Sequence, residues 1–223
     1  MSSVTSNEVI DGVIELLEAA THSILYHRNV YMRQHFRLCR KYHVPTPMSR
    51  SPLLCDYVAQ ALAQLRRALV AGVVERYAVV IVARGSARVL ERFVFELSSV
   101  LPASPDWCGP LSLPAIEAHF RAFLLKLSVV DALLAPLRPS SAAPPLDAPE
   151  DADESDVAFN LVVHCSDGES ANADEAIAQN WVPVNAAHID GVPIIVPFKS
   201  ANLGPLRLQL FCEENREAKR AED

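Results

Sequence analysis

The sequence predicts an α+β domain with three helices packed on a mainly antiparallel β-sheet, and three features carry that prediction. Proline-free helical runs occupy the first third of the chain and a central segment. Two Val/Ile/Phe-rich runs flank a short glycine-bearing turn, and a cleanly alternating run closes the chain. Helices grouped before strands, rather than alternating with them, put the sheet against the helices as a separate layer.

From about Ser6 to Tyr42 only Gly12 interrupts the helical spacing of Ile10, Val13, Leu17, Ile24 and Tyr31, so this region reads as one long first helix. Val44-Pro-Thr-Pro47 is an extended turn. Ser51-Pro52 opens a second helix, which runs through Tyr57, Leu62, Leu65 and Leu69 to a stop at Gly72.

Val73–Ala83 and Val89–Leu97, joined by Arg84-Gly-Ser-Ala87, read as a β-hairpin in which Phe93 and Phe95 point to the core. A loop from Ser98 to Gly109 leads to the most apolar long segment, Ser112–Leu137. Ile116, Phe120, Phe123, Leu124, Leu127, Val130 and Leu134 line one side of it, and Leu125, Val129 and Leu133 fill most of the other. It is expected to be the fully buried central helix, capped by Ser112 and ended by Pro136. Arg121, Lys126 and Asp131 interrupt a run already shorter than the roughly 20 residues of a membrane span.

Five prolines among the fourteen residues 136–149, and six acidic residues among the ten from 147 to 156, predict a disordered linker. A strand follows at Val157–His164, then a polar stretch to Asn180. Trp181-Val-Pro-Val and Val192–Phe198 are short extended pieces whose prolines assign them to sheet edges. Leu206–Cys212 is the last strand, and Glu213–Asp223 is expected to fray.

Half of the 223 residues are hydrophobic, enough for a full core, and the length fits one domain. A net charge of −7 argues against a dedicated nucleic-acid binder. One acid-free stretch between Ala19 and Cys55 nevertheless collects Arg28, Arg33, Arg37, Arg40, Lys41 and Arg50. A solvated face, a surface for an acidic protein partner and a direct DNA contact are the readings it leaves open. Five cysteines form no CxxC pair, as expected of reduced thiols inside the cell. The N-terminus carries neither a secretory nor a transit pattern, which leaves cytosol and nucleus open.

No catalytic constellation is present. The seven glycines are isolated, so neither a phosphate-cradling loop nor a GxSxG elbow is available. His35 and Cys39 stand one helical turn apart on the expected first helix, but no further ligand is spaced to complete a tetrahedral metal site. His164 and Cys165 alternate in a strand and point apart. Asp167, Glu169, Asp174 and Glu175 read as solvated loop charges. No cofactor or metal is expected, and a non-enzymatic binding protein is.

Six blocks in order carry a resemblance: Leu25-Tyr-His-Arg-Asn-Val-Tyr31, Arg40-Lys-Tyr-His-Val-Pro45, Arg92-Phe-Val-Phe-Glu96, Arg121-Ala-Phe-Leu-Leu-Lys-Leu-Ser128, Trp181 and Leu208-Gln-Leu-Phe-Cys-Glu-Glu214. Collinear from about Val9 to Glu214, they resemble the HORMA-domain accessory subunits of translesion DNA polymerase zeta, the mitotic arrest deficient 2-like protein B family. The Lys-Tyr-x-Val-Pro block favours this family over the spindle-checkpoint HORMA protein.

The resemblance implies a single HORMA domain over residues 1–214, with a linker at 136–156, a safety belt at 167–199 and a charged tail at 215–223. It implies capture of a proline-containing peptide from the polymerase's catalytic subunit, gripped by Tyr57 and Trp181 with Tyr31 nearby. Read alone, Trp181 is a core tryptophan after a loop and Tyr57 a helix-face tyrosine. Ile195, Gln209 and Phe211 match the patch that docks the scaffold deoxycytidyl transferase, and Phe211 stands where the family often has tyrosine. Arg121, Lys126 and Ala132 match the face on which two HORMA domains dimerise. Met32 stands where proline is common, and the linker is longer than usual. Further implied partners are an AAA+ remodelling ATPase and shieldin-like proteins, with a nuclear location, no membrane and no strong direct nucleic-acid binding. A mitotic or meiotic checkpoint adaptor and a DNA-binding factor using the 28–50 cluster are the alternatives.

Overall fold

The helix that the domain surrounds is α1 (Ser6–His27). In the computed structural model, which describes residues 4–99, 108–109, 112–137, 156–166, 181, 189, 191–204 and 206–221, every residue from Leu16 to Leu25 except Glu18 is buried. A capping box starts the helix: the Thr5 hydroxyl accepts from the Glu8 N–H, and the Glu8 carboxylate accepts from the Thr5 N–H at 2.8 Å. α2 (Pro52–Val70) and α3 (Leu113–Leu127) pack against it. Gly12 lets α3 come close, since a Cβ there would meet the Phe120 ring at 2.9 Å.

The sequence assigned this central place to Ser112–Leu137, and the structure corrects it. α3 stops at Leu127, and after a break at Ser128-Val129 a single turn, α4, spans Val130–Leu133. Ile116, Phe120, Phe123, Leu124 and Leu127 are buried as expected, but Leu125, Val129 and Leu133 are 51 %, 48 % and 44 % exposed. Their side of the segment has no other layer upon it among the described residues.

A second correction concerns the length of α1. It ends at His27, and a 3-10 turn at Arg33–His35 leads into an antiparallel ribbon of β2 (Phe36–Lys41) and β3 (Val44–Ser49). Tyr42 (φ 47°) and His43 (φ 64°) close it as a two-residue turn in left-handed conformation. Such turns ordinarily carry Asn-Gly, so nothing in Tyr-His announces one. The strain is held by Tyr42's neighbours: its ring lies 5.2 Å from that of Phe120, its hydroxyl donates to Glu15 Oε2 at 3.1 Å, and its carbonyl accepts from Arg121 Nε at 3.0 Å. With the helix goes the expected His35–Cys39 pairing across one turn, because Cys39 lies in β2 and His35 before it.

α2 behaves as expected, with Pro52 in its first turn and Gly72 (φ 72°) beyond its end. The hairpin of β4 (Val74–Ala83) and β5 (Val89–Ser99) is also as expected. With β7 (Val157–Cys165), β8 (Ile194–Asn202) and β9 (Leu206–Glu214) these strands form a five-stranded antiparallel sheet in the order β7-β4-β5-β9-β8. β1 (Val4–Thr5) pairs separately with β6 (Cys108–Gly109). Pro197 sits on the edge strand β8, where its missing N–H breaks no interior ladder.

One face of the sheet carries Tyr77, Val79, Ile81, Phe93, Phe95, Leu208 and Leu210 into the helical core. The other buries a small cluster of Ala78, Val80, Val89, Val94 and Ile189. Cross-strand pairs Arg76–Glu96 and Arg92–Glu213, at 3.2 and 3.0 Å, stand on that outer face.

The C-terminus does not fray at Glu213. α5 (Arg216–Ala221) folds back with Ala218 and Lys219 buried, drawn in because the Lys219 ammonium bonds to the carboxylates of Glu91 and Glu214 and to the Ala135 carbonyl. The Pro/acidic segment 138–155 and the stretches 167–180 and 182–188 lie outside the described residues.

Candidate peptide-capture site

Among the described residues β7 pairs on one side only, with β4, and leaves its other edge open. An open strand edge offers main-chain donors and acceptors to an incoming extended chain. Beside it lies a cavity of about 700 Å³ between the first turn of α2, the segment before β2 and β7. Phe159 of β7 is its centre, with edge-to-face contacts to Tyr31 at 6.2 Å and to Tyr57 at 5.9 Å. Aromatic faces at this spacing suit a proline ring, which stacks on them without asking for a hydrogen bond.

Each wall has a local cause. Tyr31 follows the end of α1, and Asn29 (φ 51°) turns the chain towards the ribbon. Tyr57 sits 48 % exposed on α2, aligned by the Pro52 start. Burial pushes its phenol pKa up, and a main-chain hydrogen bond with Leu161 of β7 opposes that rise. Leu53, 83 % exposed, and Leu54 continue the apolar wall, while Gln34, His35, Ser49, Arg50 and Ser51 supply its polar rim. Among the described residues no acidic side chain lines the cavity.

Of the residues predicted to grip a peptide, Tyr31 and Tyr57 therefore meet at one cavity. Trp181 is half-buried against the main core and is not among the cavity's lining residues. It belongs to the connection between β7 and β8, which starts and ends at opposite edges of the sheet. Ile189, in the same connection, packs on the outer face. Phe159 was missed by sequence reasoning, because one aromatic residue in an apolar strand gives no sign that it faces a cavity rather than the core.

Ile195, Gln209 and Phe211 come together. The β8–β9 register opposes Ile195 to Glu213, Pro197 to Phe211 and Ser200 to Gln209, which puts all three on the outer face. Ile195 is 61 % exposed, and Phe211 packs beside the outer cluster. Lys126 and Ala132 are exposed with Leu125, Val129 and Leu133, but Arg121 is half-buried and tied to the Tyr42 carbonyl.

The basic cluster between residues 28 and 50 does not form one surface. Arg28 is buried on Glu91 and Asp131, Lys41 pairs with Glu15, and Arg33 lies over the Tyr26 ring. Arg37, Arg40 and Arg50 remain exposed. Among the described residues no group of three His, Cys, Asp or Glu side chains could hold a metal ion, and no helix is long and apolar enough to cross a membrane.

No family model matches the chain. Its relatives are nevertheless clear. The Bos taurus mitotic spindle assembly checkpoint protein MAD2B is 32 % identical over 212 residues, covering 92 % of this chain and 90 % of its own. The Arabidopsis thaliana DNA polymerase zeta processivity subunit is 30 % identical over 208 residues, covering 93 % and 86 %. Among solved structures, a chain of the mitotic checkpoint complex superposes with a TM-score of 0.72 at 19 % identity, over 92 % of this chain and 98 % of that one. C. elegans HTP-2 bound to the HIM-3 closure motif gives 0.70 at 12 % identity, over 96 % and 93 %. The sheet order, the helices on one of its faces and the near full-length relatives agree: the chain is a HORMA-domain protein and belongs to the MAD2B/DNA polymerase zeta processivity subunit family.

Proposed function

We propose that this protein is a non-catalytic adaptor of DNA polymerase zeta in translesion synthesis, acting in the nucleus by capturing a short proline-containing peptide of the catalytic subunit. The observation that carries this reading is the open edge of β7 beside the Tyr31–Phe159–Tyr57 cavity. A peptide added to β7 gains main-chain bonds from the strand and side-chain pockets from the aromatics. The segment 167–199 serves as the belt across it, with Trp181 as a further anchor. Closing such a belt over a bound segment explains slow release without a large interface, and two belt arrangements a few kcal/mol apart would let an AAA+ ATPase reopen it.

Ile195, Gln209 and Phe211 form the patch for the scaffold deoxycytidyl transferase, and their shared outer face leaves it accessible while the β7 edge is occupied. Lys126 and Ala132, with the exposed leucines around them, form the face for a second HORMA domain, and Arg121 shapes that face through Tyr42. Shieldin-like proteins are further partners for the same capture site. A second reading, a spindle-checkpoint adaptor, is favoured by the name that the mammalian relatives carry.

Affinity purification of wild-type protein beside Tyr57→Ala from the native cells tests both. Recovery of the polymerase zeta catalytic subunit, lost in the variant, is the expected result. Recovery of checkpoint proteins instead would favour the second reading, and unchanged recovery in the variant would remove the cavity from the capture site.

A further inference from the structure

The capture cavity has a charge preference. Its walls are aromatic and aliphatic, its rim is polar, and the one permanently charged side chain among its lining residues is Arg50. Arg50 is exposed, and no acidic side chain pairs with it among the described residues. Its main chain is fixed, because its N–H donates to the His35 carbonyl at 2.8 Å and so carries the β2–β3 ladder one residue past Phe36 and Ser49. The side chain therefore starts from a defined point at the cavity mouth. Of the charges felt at Cys55, in the first turn of α2, Glu18 and Asp56 act more strongly than Arg37, and none of the three lines the cavity.

Some surface cations are satisfied by the protein itself, whereas Arg50, like Arg37, Arg40 and Arg67, has no acidic partner among the described residues; of these four only Arg50 lines the cavity. Lys41 is engaged by Glu15, Arg66 by Asp11 and Arg76 by Glu96. Among the described residues no carboxylate lines this half-enclosed apolar cavity to complement the arginine at its mouth. We infer that Arg50 selects captured segments bearing a carboxylate side chain, aspartate or glutamate, next to the proline that enters the Tyr31–Phe159–Tyr57 cavity. This rests on the peptide-capture reading above and adds a sequence requirement to it. A guanidinium offers paired N–H donors to a carboxylate, and the low-dielectric aromatic wall on one side strengthens the contact relative to one in open water.

The test uses the full chain and an array of extended peptides with a fixed proline pair, in which Asp, Asn and Lys are scanned through the flanking positions. The tightest Asn-containing peptide is then compared in solution with its Asp and Lys versions by fluorescence anisotropy. With wild-type protein the Asp version is expected to bind about three- to fivefold tighter than the Asn version at low salt, the scale of a partly exposed ion pair, and the advantage is expected to shrink as salt screens it. Arg50→Gln should abolish the difference between the Asp and Asn versions. Arg50→Glu should reverse the order, favouring Lys over Asp. That reversal is a readout a merely structural role for Arg50 would not produce. Equal affinities for Asp and Asn peptides at every flanking position would overturn the inference while leaving capture intact. If no peptide of the array binds, the capture reading fails first, and the inference falls with it.

Discussion

Arg28, in the turn after α1, and Glu91, in β5, meet as a doubly bonded pair sealed from solvent. Arg28 Nε donates to Glu91 Oε2 at 2.9 Å and Nη2 to Oε1, and the two side chains are 3 % and 0 % exposed. The pair is the centre of a larger network. Arg28 also reaches Asp131 at 3.0 Å and the Ala135 carbonyl at 2.7 Å, and Lys219 from α5 bonds to Glu91 and Glu214. Burial alone would raise the Glu214 pKa, but its bonds to Lys219 and Arg216 hold it below the ordinary carboxylate value. Two cations and two anions balance at the core of the network, so each removal leaves a buried charge without its counterpart.

Glu91→Ala should therefore destabilise the domain by about 3–5 kcal/mol, since it takes the shared buried carboxylate from both Arg28 and Lys219 and leaves one positive charge in excess. Asp11→Ala, which breaks the exposed Arg66–Asp11 pair, should cost less than about 1 kcal/mol. Urea denaturation of the two variants checks the contrast, and equal losses would show that the network's burial does not matter.

His43→Gly should stabilise the protein by about 0.5–1 kcal/mol. His43 is exposed at φ 64°, a conformation that costs an L residue about 1–2 kcal/mol, and glycine's greater freedom in the unfolded chain takes back part of the gain. Tyr42→Gly, in the same turn, should destabilise, because it deletes the contacts with Phe120 and Glu15. Opposite signs at neighbouring left-handed residues, measured by thermal unfolding, would confirm that packing decides the second case.

His22 is fully buried on α1, and among the described residues neither of its ring nitrogens has a hydrogen-bond partner. Burial lowers its pKa to about 4, whereas the unfolded chain titrates it near 6.5. The unfolded state thus takes up this proton first. His22's effect on stability is flat above about pH 6.5 and becomes progressively unfavourable as pH falls towards 4, by about 3 kcal/mol in all. In His22→Leu this component of the acid dependence should vanish, and stability curves at pH 7 and pH 4 compare the two proteins directly.

Phe159→Ala and Trp181→Ala should each weaken binding of the captured peptide by about 2–4 kcal/mol, as expected of central aromatic anchors. Calorimetric titration with the peptide checks both. An unaltered affinity for Phe159→Ala would mean that the cavity is not where the proline goes, and one for Trp181→Ala that the tryptophan serves only the core it packs on.

Local rules found the parts of the fold that local rules determine. Pro52 and Gly72 bound α2, the Arg84–Ala87 turn joins β4 to β5, and the alternation of Leu206–Cys212 marks β9. The β2–β3 ribbon escaped because its turn is made by Tyr42 and His43, whose conformation depends on α3 and α1 rather than on their own preferences. The candidate cavity was half legible. Tyr31 and Tyr57 came from the resemblance to the family, while Phe159 and Arg50 acquire their places only when β7 and the start of α2 are brought side by side. The Arg28–Glu91–Lys219 network was not legible at all, since its members are scattered over the length of the chain and each alone resembles a surface charge.

The interior place of β9 also fixes the timing of assembly. A ribosome releases β5 long before the last strand emerges, and until then β5 presents a bare edge where the finished sheet has its β9 ladder. Sheet closure waits until β9 has been made and must bring together residues as remote as Glu91 and Glu214. The newborn protein therefore passes through a stage in which β5, an interior strand of the mature sheet, is an unprotected edge, and that stage is where cells must shelter it from aggregation.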